Sequence, residues 1–362
     1  MLAVRRRVAI VYNQPLKSRY DQRGERAAVS GVLEAVEAVY DALLKLGYGV
    51  VKVPLSPPLP RAKKRLAALG DDLVFNLFEG FAGHPETEAE IAEMLSVLKM
   101  PFTGCSAAAL RLALDKAKTK SLLKSASINT PNFQLLRPET LSSFRLSYPC
   151  IVKPRREDAS HGLSAENVVY DFASLEKVVT TVSRYYGGQT LVERFIEGRE
   201  FNVTVLGGSA LPVSEIDYSL PEGMPHMLTF AAKWQPESDY YKGTKVVCPA
   251  KITKKERENI ARTALTVFGL LGCRGYARVD MRRDGAGRLN VIEANPNPDI
   301  SPGSGSVRQA EAAGMSYPQF IERIVQIALE RRENDGQDTP HDKNRQASGN
   351  QYSARHARVQ AC

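Results

Sequence analysis

The chain has 362 residues, 43% apolar and 25% charged, which is globular material for two or three domains and includes no apolar run near the roughly 20 residues that span a membrane. Its five cysteines, Cys105, Cys150, Cys248, Cys273 and Cys362, are scattered with no C-x-x-C pair, which argues against a disulfide framework or zinc site and for a reducing cytoplasm. The net charge of +9 is spread over short basic clusters, a pattern that disfavours nucleic acid and fits a site for a highly charged nucleotide.

Residues 8–12 (VAIVY) read as the first strand of a parallel α/β layer, a run too short for a signal peptide. The polar loop 13–24 has no G-x-G-x-x-G, so a dinucleotide fold is not indicated. Val29, Val32, Leu33, Val36, Tyr40, Leu43 and Leu44 recur at three- and four-residue steps, predicting an amphipathic helix ended by Gly47, with a strand at 48–53. A proline-rich crossing (54–60), a strand at 72–77, a glycine-containing loop at 78–88, a helix at 89–98 and a short strand at 101–103 complete a β-α-β unit. His84 reads as a loop residue rather than a ligand, since no Cys or second His stands at metal spacing.

Residues 110–124 predict one helix, in which Lys116 lies between Leu114 and Leu122 and can point into a cleft. A strand at 149–153 ends in Lys153. The loop 155–164 after it, with Ser160 and Gly162, suits either phosphates held by backbone N–H groups or a plain surface turn. A helix at 173–186 and a strand at 190–195 follow, then strands at 200–206 and 210–216 joined through Gly207-Gly208. Residues 217–247 predict a long irregular segment of the kind that forms lids. Thr253 with Glu256 opens a helix at 253–271, 317–331 closes the fold as a helix, and the composition from 332 onward predicts a disordered tail.

The most informative stretch is 275–299, GYARVDMRRDGAGRLNVIEANPNPD. Two apolar-rich runs flank Asp284-Gly285-Ala286-Gly287, so a hairpin is predicted. Arg278 and Asp280 then share a face of one strand, Glu293 stands on the other, and Asn295 falls just past the end. Two carboxylates and an amide are oxygen donors of the kind Mg²⁺ takes, with Arg278 beside them for an anion. The plain alternative is a surface hairpin with solvated charges.

The ordered blocks FNLFEG, PFTG, LDKAKTK, IVKP, LVERFIEGREF, CPA, GYARVD and VIEANPNP followed by AAGMSY resemble the ATP-grasp superfamily, and within it the D-alanine–D-alanine ligase family, over residues 8–330. The resemblance implies a mixed α/β (α+β) ATP-grasp fold. An N-terminal domain (1–110) would precede a central lobe (111–188) and a C-terminal lobe (189–330), followed by a tail (331–362). It also implies an ATP-dependent carboxylate–amine ligase of cell-wall synthesis that works through an acyl phosphate. ATP, two Mg²⁺ ions (Mn²⁺ as substitute) and small amino-acid substrates come with it, in a cytoplasmic homodimer with no nucleic-acid or membrane partner.

The resemblance gives Lys116 and Lys153 to the nucleotide phosphates. It gives Glu193, Arg194, Phe195 and Ile196 to a hinge that reads adenine largely by backbone, Glu200 to the ribose and Lys233 to the outer phosphates. Asp280, Glu293 and Asn295 correspond to the metal ligands, Arg278 to the arginine at the reacting carboxylate, and Ser304 to the serine that holds the second amino acid. The Ser160 loop and the segment around Lys233 would exclude water from the acyl phosphate.

Departures from the family pattern gather where substrates are told apart. Glu25 is the counterpart available for the glutamate that reads the first amino acid. Ala159 replaces the first serine of the phosphate loop, Trp234 a lid tyrosine, Glu79 a histidine and Asp299 a glycine. Asp299 would favour a cationic or larger amine. The alternatives are therefore a ligase for a different amino acid or amine pair, or a non-catalytic ATP-binding regulator.

Overall fold

A computed structural model describes residues 6–18, 20–21, 26–81, 83–158 and 160–337. Glu25, Ala159 and the segment from 338 on lie outside the described residues, and with them the readings placed there.

Strand β1 (Arg7–Asn13) lies between β2 (Gly49–Leu55) and β3 (Leu73–Leu77), parallel to both. Because side chains alternate along a strand, a parallel sheet needs cover on both faces. Val8 and Ile10 join a core with helix α1 (Arg26–Lys45) and the last helix, Tyr317–Gln337, while Ala9 and Val11 face a second core. That second core also takes in α2 (Leu59–Ala67) and α3 (Glu86–Val97). The crossing at 54–60 thus runs into a helix rather than straight on to the strand at 72, with a proline in its first turn where no helical donor is lost. At 101–103 only Phe102 bridges to Val74, so no full strand forms.

The single helix expected at 110–124 is two, α4 (Ala107–Leu114) and α5 (Lys116–Ser125), broken at Asp115. Asp115 leaves helical geometry (φ −87°, ψ 88°) and accepts a hydrogen bond from the Lys118 N–H. Lys116 thereby becomes the first residue of α5. A four-stranded antiparallel sheet follows in the order β4 (Phe133–Leu136), β7 (Thr190–Arg194), β5 (Cys150–Pro154), β6 (Val168–Val169). Helix α6 (Phe172–Tyr186) covers it and begins in a capping box between Asp171 and Ser174.

The third sheet runs β11 (Thr244–Val247), β10 (Ser214–Tyr218), β8 (Glu200–Leu206), β12 (Tyr276–Arg283), β13 (Leu289–Asn295), with the short β9 (Ser209–Ala210) on β8. The strand expected at 210–216 is thus divided between β9 and β10. Residues 217–247 are less irregular than expected, since they contain α7 (Phe230–Trp234), α8 (Asp239–Lys242) and β11. Gly198 allows the link from β7 to β8 to pass the β12 backbone. Its φ is +151°, and a Cβ there would strike the Arg283 carbonyl oxygen. Helix α9 (Lys254–Leu270) covers this sheet, and α10 (Gly305–Ala312) leads to α11 (Tyr317–Gln337), which extends six residues beyond the expected end at 331. No described helix is long and apolar enough to cross a membrane.

Candidate active site

The β12–β13 hairpin forms one wall of a cleft between the second and third sheets. Its register pairs Arg278 with Asn295 and Asp280 with Glu293, so Asn295 is the last strand residue rather than a residue beyond it. Asp280 faces Glu293 but Met281 faces Val291, which leaves Ile292 as an extra residue in a bulge. The bulge is pinned from behind. Lys120 Nζ donates to the Ile292 carbonyl (3.2 Å) and to Thr130 Oγ1 (3.0 Å), and Thr130 Oγ1 donates to the Val291 carbonyl (2.8 Å).

Arg278 holds Asp280 through two parallel hydrogen bonds of 2.7 and 2.9 Å, and Asn295 Nδ2 adds a third at 3.0 Å. Burial disfavours the Arg278 charge, but Asp280, Glu293 and Asp299 outweigh it and hold its pKa above the ordinary arginine range. Lys116 Nζ pairs with Glu293 and also donates to the Glu157 carbonyl (2.5 Å). Burial would raise the pKa of Glu293, yet Lys116, Lys153 and Lys233 together bring it to about 2. The site thus keeps Glu293 ionised.

Beneath these lies Glu193, 1% exposed, with Lys153 on one carboxylate oxygen and Lys120 on the other, the latter at 2.7 Å. The Glu193 side chain is committed to these lysines, so any adenine recognition there falls to the backbone. Two lysines sharing one carboxylate are incompletely compensated, and burial together with Lys153 brings the Lys120 pKa below the ordinary range. Lys120 belongs to a run of helix lysines whose pattern suggests a solvated face, yet it is buried, four residues from Lys116 on the same face of α5. Lys233 comes in from α7. Solvent reaches it, but the concave walls desolvate it and, with Arg278, lower its pKa.

The other half of the cleft is apolar, lined by Ile151, Leu163, Phe195, Met227 and Ile292. Arg194 turns outward onto Ser147 Oγ (2.5 Å) and the Tyr148 carbonyl (3.0 Å). Glu200 Oε2 accepts from Arg282 Nε (3.0 Å) and from the Tyr218 hydroxyl (2.7 Å), and Arg282 also donates to the Ile196 carbonyl (2.9 Å). Arg282 was missed as well. The period of two that places Arg278 and Asp280 on one face extends to it.

Ser160 has a left-handed backbone (φ +61°), and its hydroxyl lies 3.4 Å from the Leu228 carbonyl ahead of α7, so its loop and the lid segment meet. Ser304 precedes α10 and donates to the Asp299 carbonyl (3.0 Å). Trp234 packs against Gly31 in α1. His84 is exposed and bonded to Glu86, as a loop residue. Glu79, Glu88, Asp158 and Asp299 form an acidic group, of which Asp299 also acts on Arg278. Glu79 opens to solvent, yet the desolvating walls around it, then Asp158, Asp299 and Glu88, raise its pKa well above the ordinary value. Glu88 is buried, and burial followed by Asp158 raises its pKa to about 8, although Asn297 Nδ2 donates to it at 2.7 Å.

Cations at the base and hinge side, with paired carboxylates on the hairpin, are what a polyphosphate and a hard cation need in common. Among the described residues no three His, Cys, Asp or Glu side chains cluster as a metal site. The carboxylates of Asp280 and Glu293 and the amide oxygen of Asn295 do fit a cation whose remaining positions go to phosphate and water.

Residues 122–326 match the family model for the D-ala D-ala ligase C-terminus. An uncharacterized protein, y4sG, of Sinorhizobium fredii is 35% identical over 276 residues, 76% of this chain and 78% of its own length. The D-alanine–D-alanine ligase of the same organism is 33% identical over 300 residues, 82% of this chain and 92% of its own. The crystal structure of the D-alanine–D-alanine ligase from Bacillus anthracis complexed with ATP superposes with a TM-score of 0.71 at 20% identity, covering 92% of this chain and 99% of that one. The fold is therefore ATP-grasp, and the chain belongs to the D-alanine–D-alanine ligase family, ATP-dependent enzymes that form carbon–nitrogen bonds.

Proposed function

We propose that this chain activates an amino-acid carboxylate with ATP and joins it to an amine whose side chain carries positive charge, a variation on the joining of two D-alanines. The observation that carries the reading is Glu293, kept ionised between Lys116 and the Arg278–Asp280 pair. A carboxylate is a poor acylating agent because oxide would have to leave, and phosphorylation converts that oxygen into a phosphate leaving group. Lys116, Lys153 and Lys233 neutralise the phosphates during transfer. Asp280, Glu293 and Asn295 would hold Mg²⁺ or Mn²⁺, which when bound screens charge between phosphate oxygens. Arg278 stabilises the oxyanion that forms as the amine attacks. The apolar half takes adenine along the backbone at 193–196, and Glu200 takes the ribose.

Asp299 near Arg278, with Asp158 close to Glu79 and Glu88, supports the cationic substrate, because an ammonium group entering among these carboxyls would be attracted and would favour their ionised forms, whereas a second carboxylate would not. The reading includes domain limits at 110, 188 and 330, a cytoplasmic location, and a homodimer that light scattering would measure.

Phosphate release should be followed across D- and L-amino acids, basic amino acids and diamines, with mass spectrometry of the product. Turnover is expected to be highest with a basic amine, and tight selectivity for two D-alanines would sink the cationic reading. Glu293→Gln should lower turnover roughly 100-fold or more. A variant that keeps the protein's function intact would instead mark a nucleotide-binding regulator.

A further inference from the structure

Four aromatic rings form a seam along the edge of the cleft. Tyr20, in the loop after β1, stacks flat on His161 of the phosphate loop, with centroids 3.8 Å apart and 5° between planes. His161 lies 6.1 Å from Phe230, and Phe230 lies 6.3 Å from Trp234, both on α7. The far end of the Trp234 indole rests on Gly31 in α1, where a Cβ would lie 2.8 Å from Cη2 and 3.3 Å from Cζ3. The indole Nε1 has no acceptor among the described residues, so the contact works through shape.

Gly31 stands inside a 20-residue helix and has no left-handed φ. Glycine weakens a helix interior relative to alanine, and here the backbone asks for nothing that only glycine supplies. What the position requires is room for the ring.

We propose that Gly31 is the seat of a latch, a positioning residue on which the lid docks through Trp234, fixing the adjacent Lys233 over the cleft. Phe230 and His161 extend the same contact to the phosphate loop, so lid and loop settle together against the N-terminal sheet. The proposal rests on Lys233 serving the nucleotide, but the seat can be measured without any reaction.

Trp234 is the only tryptophan in the chain, so its emission reports the seat. In full-length protein without nucleotide, Gly31→Ala should shift that emission to longer wavelength and increase its quenching by acrylamide, with the melting temperature unchanged or higher. In the same variant kcat for phosphate release should fall about tenfold, while the KM for the amine changes less than twofold. Pairing Gly31→Ala with the smaller ring of Trp234→Phe should return kcat to within twofold of Trp234→Phe alone. Emission that does not move in Gly31→Ala overturns the seat, and a shifted emission with unchanged kcat overturns the positioning of Lys233. If the wild-type chain releases phosphate with no amine, the proposed ligase reaction fails. The emission of Gly31→Ala and its affinity for ATP, expected to weaken about tenfold, then still decide the latch.

Discussion

Glu88 and Glu293 are both glutamates at one cleft, and their neighbours set them in opposite directions. Burial, then Asp158, raises the pKa of Glu88 to about 8. A carboxyl raised on folding holds its proton more tightly in the folded state. Its cost to the fold is therefore absent below the unfolded value and complete once the pH passes about 8. Glu88→Gln is expected to stabilise the protein at pH 9 by up to about 5 kcal/mol and to change little at pH 4. Urea titrations at both values check this, and an equal effect at both would show that the carboxyl is not the source. The residue types of the hairpin were readable in the sequence because alternation alone brings Arg278 and Asp280 to one face. The acidic group was not, since positions 79, 88, 158 and 299 come together only in the folded chain.

Two local interruptions of regular structure aim the site. Asp115 divides what composition marks as one helix, and Arg155 doubly bonds its carboxylate at 2.7 and 2.9 Å. Nothing in a run of good helix formers announces that break, because the residue that causes it is fixed by arginines forty positions away. Asp115→Ala should cost about 2 kcal/mol through the lost cap and ion pair. It should also weaken ATP binding, since Lys116 begins the helix that Asp115 caps; thermal melts and ATP titration measure both. The bulge at Ile292 is the second interruption, with Lys120 behind it. Lys120→Met keeps the volume but leaves the Ile292 carbonyl without that donor and Glu193 with one lysine, a loss of about 3 kcal/mol. Denaturant unfolding tests the figure, and a neutral result would mean the bulge stands without Lys120.

At the scale of the molecule, the second and third sheets meet around one cleft, and helices α1 and α11 join the first and last parts of the chain in a shared core. The order of motifs made this architecture readable, because each block marks one wall. Short elements such as β4 and α7 stayed hidden, their burial depending on partners rather than on their own pattern. With ligands closing the walls on one another, mass action predicts stabilisation by about 2.7 kcal/mol at a ligand concentration 100 times the dissociation constant. Calorimetry with ATP and Mg²⁺ should show this as a higher melting temperature, and ATP that leaves the melting temperature unmoved would contradict a nucleotide site here.

In the hairpin each carboxylate has a cation: Asp280 has Arg278, and Glu293 has Lys116. Filling the cleft with nucleotide and metal would therefore be an ion exchange. A polyphosphate held by Lys116 and Arg278 would draw the cations away from the carboxylates, and a divalent ion held by Asp280 and Glu293 would free the cations. Each ligand lowers the other's cost of entry, and linkage requires the two gains to be equal. Once the complex that ATP and metal form in solution is allowed for, Mn²⁺ should tighten a non-hydrolysable ATP analogue by the same factor as the analogue tightens Mn²⁺. Replacing Lys116 by Met should shrink that factor, because Glu293 would then be open to the metal before the nucleotide arrives.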